Sequence, residues 1–173
     1  MLQSSAILSS LSENDAAALR PHLKATHLQQ KALLYESGDT IDAVFFPLSA
    51  VVSLVVTLAS GEMTEAAMVG RDGAAGISSA LDGKVAMSRA IMQLSGDAMV
   101  CDKAAFKGAT LQSERLISKV MRHEQTLFAQ AHQSTACMAH HEVDTRLCPW
   151  LLRARDFSEA IIFLSRKNFW LKC

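Results

Sequence analysis

Four side chains in the last third of the chain have the chemistry of metal ligands: His132, Cys137, His140 and His141. Cys137 and His141 stand four residues apart, a spacing that sets two ligands on one helix face. Two such groups do not fill a tetrahedral site, and further ligands would have to come from another loop or another chain. The plainer reading, a polar flank of a long helix, is preferred, and no metal is assigned. Other reactive patterns fail on spacing. Gly70-Arg71-Asp72-Gly73 is not followed by the Gly-Lys-Ser/Thr of a phosphate-binding loop. No serine sits in a nucleophile-elbow setting. His22 and His27 are the only histidines before the long helix, and no His-x-His pair offers strand-borne metal ligands. No catalytic residue is assigned, and the chain is expected not to be an enzyme.

Composition narrows the classes further. The 173 residues are 50% hydrophobic and 20% charged, which is globular composition with room for a core. Seventeen basic residues balance seventeen acidic ones, so no global charge draws the chain to nucleic acid or to an anionic membrane. The first ten residues lack a basic n-region, and the longest apolar run, from Val51 to Ala59, is too short to cross a bilayer. Cys101, Cys137, Cys148 and Cys173 show no paired spacing, which argues against a disulfide framework. The expectation is a cytoplasmic protein with reduced thiols and no membrane contact.

The elements that would position any site read as follows. Ser12 is an N-cap with Asp15 as the acid of a capping box, and Leu11, Leu19 and Leu23 fall near one face of a helix closed by Pro21 and His22. From Thr26 to about Asp102 short extended runs alternate with turns at Ser37-Gly38-Asp39, Ala59-Ser60-Gly61-Glu62 and Ser95-Gly96-Asp97. Arg71 to Gly83 reads as a loop with one short helical turn. Many short strands at even spacing predict an α+β fold, a small antiparallel β-barrel or jelly roll with flanking short helices. After a short helix from Lys103 to Gly108, no Pro or Gly interrupts Leu111 to His140. There Leu116, Ile117, Val120, Met121, Leu127, Phe128, Ala131, Thr135 and Met138 recur at threes and fours. About 30 residues make a helix about 45 Å long, more than a small barrel can cover. A second copy of the same helix is the simplest partner. Leu116, Ile117, Val120, Met121, Leu127, Phe128 and Met138 form the expected dimer seam.

This order of elements resembles the sensor half of the Crp/Fnr family of bacterial transcription regulators, whose cyclic-nucleotide-binding-like domain is followed by a dimerisation helix. The resemblance is carried by ALLYESGDTIDAVFFPLSAVVSLVVTLASGEMTEAAMVGRDG, from Ala32 to Gly73. Its Ser37-Gly38-Asp39 turn, Phe45-Phe46 strand and Ser60-Gly61-Glu62 hairpin stand where the family has a GD turn, a YF strand and a DG hairpin. Val143 to Asp156, VDTRLCPWLLRARD, resembles the start of the connection to a DNA-binding domain, although Pro149 departs from the family pattern.

The resemblance implies an effector pocket built from Gly73, Gly76, Ile77, Ser88, Arg89, Ala90 and Thr135. In the family a Gly-Glu pair and a later Arg hold the cyclic nucleotide, the Arg on the phosphate and the Glu on the ribose hydroxyl. Ser88-Arg89-Ala90 fits the Arg element, with Arg89 as an anion contact. Gly76 is followed by Ile77, and no acid lies between Gly73 and Leu81. An unpaired hydroxyl there would cost about 1–3 kcal/mol, so cyclic AMP is not the expected effector, and a small anionic or nucleotide effector is. The iron–sulfur version of the family uses N-terminal cysteines, and the first hundred residues contain none.

The tail gives a further expectation. Read one nucleotide earlier, the degenerate codons after Glu159 permit PLTQEFLAEML, which resembles the opening of the family's helix-turn-helix. A shifted reading frame near Glu159 follows, and the chain is expected to lack its own winged helix-turn-helix. The division is then a sensor domain over 1–110, a dimerisation helix over 111–141, the start of a connection over 142–159 and an aberrant tail over 160–173. Function is the effector-sensing and dimerising part of a Crp/Fnr-like regulator, a homodimer that meets DNA only through a missing C-terminal domain or in a mixed dimer. The alternative is a stand-alone small-molecule-binding module unrelated to DNA.

Overall fold

Two helix caps open the chain. Ser5 accepts from Leu8 N at the start of α1 (Ala6–Ser9), and Ser12 accepts from Asp15 N at the start of α2 (Glu13–Leu19). The Ser12 hydroxyl also donates to the Asp15 carboxylate at 2.6 Å, so Asp15 closes the cap as the sequence predicts. A 3₁₀ turn over Arg20–His22, with Pro21 in its first turn, ends the helix. The computed structural model describes residues 5–82, 85–142, 150–153 and 155–157. The expectations for Pro149 and for the frame-shifted tail fall outside these residues.

Seven strands follow: β1 (Leu23–Leu28), β2 (Leu33–Tyr35), β3 (Ala43–Pro47), β4 (Val51–Thr57), β5 (Met63–Val69), β6 (Arg89–Leu94) and β7 (Gly96–Asp102). They form two antiparallel sheets, β1-β7-β3 and β2-β6-β4-β5. The α+β class and the jelly-roll architecture are those the strand spacing predicts. One element differs: Leu23 begins β1 rather than ending the first helix. β1 lies at a sheet edge with Lys24, Ala25, Thr26 and His27 all exposed, so it carries no apolar alternation to read.

Alternation in the narrow sheet explains the two-sided core. Val44 and Phe46 of β3, with Met99 and Cys101 of β7, face the helices. Phe45 and Ala98 face the space between the sheets, with Val52, Val69, Ala90 and Met92. The helices α3 (Ile77–Asp82) and α4 (Lys103–Leu111) complete the layer beyond the narrow sheet, and α5 (Glu114–His140) packs on α4 and then along β5 of the wider sheet. Asp102 caps α4 by accepting from Ala104 N at 2.8 Å and Ala105 N at 3.2 Å. The long helix starts three residues after the predicted Leu111, because Ser113 turns out of the helix and caps α5 through Leu116 N at 3.2 Å.

Residues 150–153 and 155–157 are helical and return to the barrel. Trp150 Nε1 donates to Glu65 Oε1 at 2.5 Å, Arg153 pairs with Asp72 at 3.0 Å, and the Phe157 ring covers Gly70. Gly70 must be glycine here, since a Cβ would stand 2.4 Å from the ring.

Candidate functional site: a cavity beneath the long helix

At 27 residues, α5 is about 40 Å long and carries two parallel apolar stripes. The first, Leu116, Val120, His123, Leu127, steps by four, three and four and turns onto the barrel. Leu116 and Val120 are buried in the core of their own chain with Phe46 and Phe106. The second, Ile117, Met121, Glu124, Phe128, Ala131, Thr135, Met138, follows the same rhythm one residue later. Ile117, Met121, Phe128 and Met138 are exposed, Phe128 at 65%.

This placement corrects the expected seam. Leu116 and Val120 are spent on the intrachain core and are not available to a partner. Leu127 packs against the core between the sheets and lines a cavity. Ile117, Met121, Phe128 and Met138 keep an outward position.

Beneath the middle of α5 lies a cavity of about 490 Å³, walled by the sheets and by the loop before α3. Of the residues expected at an effector pocket, Gly76 and Ser88 line this cavity. Gly76 has φ +87°, and a Cβ there would lie 3.0 Å from Ala43 O, so both backbone conformation and space require glycine. The other expected pocket residues stand elsewhere. Ile77 is 1% exposed and faces the helix-side core with Leu19 and Phe106. Ala90 is fully buried between the sheets. Gly73 packs under His123 and opens toward a different cavity. Thr135 is exposed, its hydroxyl donating to Ala131 O at 2.9 Å.

Arg89 is the main correction. Arg89 is the first residue of β6, and Ser88 stands just before the strand. The Arg89 guanidinium pairs with Glu36 at 3.3 Å, and its Nη1 lies 3.5 Å from Met63 Sδ. Ser88, not Arg89, faces the cavity. Among the described lining residues there is no Arg, Lys or His.

The ionisable groups that do line it are Glu124 and Tyr35. Burial pushes the Glu124 carboxyl above the ordinary carboxylate range, against the lowering influence of His123 and of hydrogen bonds to Ser78. Burial likewise pushes the Tyr35 hydroxyl up, helped by the nearby Glu124 carboxylate. Neither was singled out from the sequence. The signal available for Glu124 was an acid set in an otherwise apolar stripe, between Met121 and Phe128. The described lining residues thus offer hydrogen-bond acceptors and apolar walls, and no counter-charge for an anion among them.

The His/Cys flank has local partners. The His132 ring lies tilted against Phe128 with centroids 3.9 Å apart, and Cys137 Sγ accepts from Gln133 Nε2 at 3.3 Å. Among the described residues no three potential ligands come together.

No family model and no curated protein matches this sequence. Solved structures do match. A Crp/Fnr-family putative transcriptional regulator from Eubacterium rectale superposes with a TM-score of 0.72 at 11% identity, over 89% of this chain and 72% of that one. A cyclic nucleotide-binding domain from Methylobacillus flagellatus gives 0.60 at 18% identity, over 77% of each chain. The regulatory domain of Toxoplasma gondii PKA, solved with cAMP, gives 0.55 at 18% identity over 62% of this chain, which spans 41% of that one. The chain has the fold of cyclic-nucleotide-binding domains.

Proposed function

We propose that this chain is the effector-sensing and dimerising part of a Crp/Fnr-like transcription regulator, not an enzyme. The observation that carries the reading is a shared set of residues. Met121, Phe128 and Ala131 line the cavity and also belong to the outward stripe of α5. Anything that fills the cavity must touch the side chains that a second copy of α5 would pack against. A pocket and a dimer interface built from the same residues are coupled by construction, which is what a sensor requires.

The working form in this reading is a homodimer joined through Ile117, Met121, Phe128 and Met138. Exposed apolar residues at threes and fours over several turns are the pattern of a helix that meets its own copy. The effector is a small molecule with an apolar ring and hydrogen-bond donors, such as the nucleoside portion of a nucleotide, directed to Glu124, Ser78 and Ser88. Cyclic AMP is a poor fit, because its phosphate would meet no cation among the described lining residues. DNA contact falls to a part of the regulator outside the described residues, and the place of work is the cytoplasm. No described helix is long and apolar enough to cross a membrane.

Methyl-labelled methionine tests the coupling directly. On dilution of the full chain, the Met121 and Met138 signals should shift as the dimer dissociates, and Met87 at the cavity should shift with them. The buried Met68, Met92 and Met99 should hold still. Dilution that moves Met121 and Met138 while leaving Met87 unchanged would separate seam from cavity and contradict the reading.

A further inference from the structure

The second cavity of the molecule has the opposite character. It is an open cleft of about 690 Å³ between α1, α5 and residue 153. Arg115, Lys119 and Arg122 come from one flank of α5, at spacings of four and three. At 100° per residue this flank lies about half a turn from the Ile117–Met138 stripe, so the cleft stays open when the seam is occupied. Arg153 supplies a fourth cation from the far wall.

These charges are poorly matched from within. The acid in the cleft is Asp72, and Arg153 already pairs with it at 3.0 Å. Asp15 acts on Arg115 from nearby, but its carboxylate accepts from the Ser12 hydroxyl at 2.6 Å. Among the described residues Arg115, Lys119 and Arg122 make no ion pair within 4.0 Å. Arg153 Nε is buried and finds no hydrogen-bond partner among them. Like charges brought together on one helix flank repel, and a concave site concentrates their field.

We propose that this cleft binds a small phosphorylated anion, a diphosphate or a nucleotide carrying one, at a site separate from the cavity under α5. Guanidinium forks on two walls suit non-bridging phosphate oxygens. The volume lies in the range of small-molecule sites. Ile7 and Leu11 give the cleft an apolar side on which a base or another ring can rest. A concave site walled on two sides favours a small anion over a duplex.

Calorimetric titration of the full chain with inorganic pyrophosphate and with adenosine diphosphate tests this. Saturable binding of one molecule per chain is expected. The paired change Lys119→Glu with Arg122→Glu should weaken it at least about tenfold, the scale of one lost charge-assisted hydrogen bond. The milder Arg122→Gln should weaken it in the same direction with an unchanged circular dichroism spectrum. Lys24→Glu, the same change of charge on the exposed β1, should leave affinity unaltered. Tighter binding of adenosine diphosphate than of pyrophosphate makes the ligand a nucleotide, and equal binding makes it the phosphate group alone. No binding of either probe, or an equal loss from Lys24→Glu, overturns the proposal. So does a DNA duplex that binds more tightly than both probes and is lost in the same variants.

Discussion

The imidazole of His123 lies directly over Gly73, its Cε1 2.6 Å from where a Cβ at position 73 would stand. The same ring donates from Nε2 to Ala74 O at 2.8 Å, so one histidine fastens α5 to the loop after β5. His123 is 9% exposed and sits between Val120 and Leu127 on the inward stripe. The contact links the helix that carries the outward apolar stripe to the loop that frames the cavity.

Gly73→Ala should therefore displace His123 and lower the stability of the whole domain. Crowding of this kind costs about 1–3 kcal/mol, and the Ala74 hydrogen bond goes with it. Denaturant unfolding of the variant should show a lower midpoint with an unchanged slope. A midpoint equal to the parent's would mean that the ring moves aside freely.

Glu124 should make stability fall as pH rises. Its folded-state carboxyl titrates above the ordinary value of 4.5, so the folded chain holds a proton that the unfolded chain has released. Stability is then full below the unfolded value and is lost as pH rises through the folded one. Glu65, also pushed up by burial, acts in the same sense. Glu124→Gln removes the Glu124 share. Its melting temperature relative to the parent should climb between pH 4 and pH 7, and a flat difference across that range would count against a buried, proton-holding carboxyl.

Adding a cation to the described lining of the cavity, which holds none, should create affinity for a cyclic phosphate. Ser88 lines the cavity, whereas Arg89 is held outside it by Glu36. Ser88→Arg should bind cyclic AMP at least about tenfold more tightly than the parent chain, by the gain of a charge-assisted hydrogen bond. Tight cyclic AMP binding by the parent itself would show that the cavity does not need the charge.

Much of this architecture was legible because it rests on short-range chemistry. Ser12 with Asp15 and the Ser60-Gly61-Glu62 turn follow from local rules, and Val51 to Thr57 announces its strand by β-branched residues. β1 was not legible, since an exposed edge strand has no periodic burial. The placement of the expected pocket residues was not legible either, for a similar reason. A motif such as Ser88-Arg89-Ala90 fixes which residues are present, but the start of β6 at Arg89 and the distant partner Glu36 decide which one lines the cavity. On α5 the two stripes differ by one residue, so Leu116 and Val120 could not be told from Ile117 and Met121 until the barrel chose its face. Tyr35 and Glu124 meet across 89 positions of sequence, a pairing that only the fold creates.

The central claim is that the outward stripe of α5 joins two copies of this chain. Light scattering of the full chain at micromolar concentration, beside Phe128→Glu, tests it most directly. The parent is expected at twice the chain mass. The variant, whose changed residue is 65% exposed and so leaves the core intact, is expected at the single mass with an unchanged circular dichroism spectrum. A parent that remains monomeric, or a dimer that Phe128→Glu leaves whole, would contradict the account.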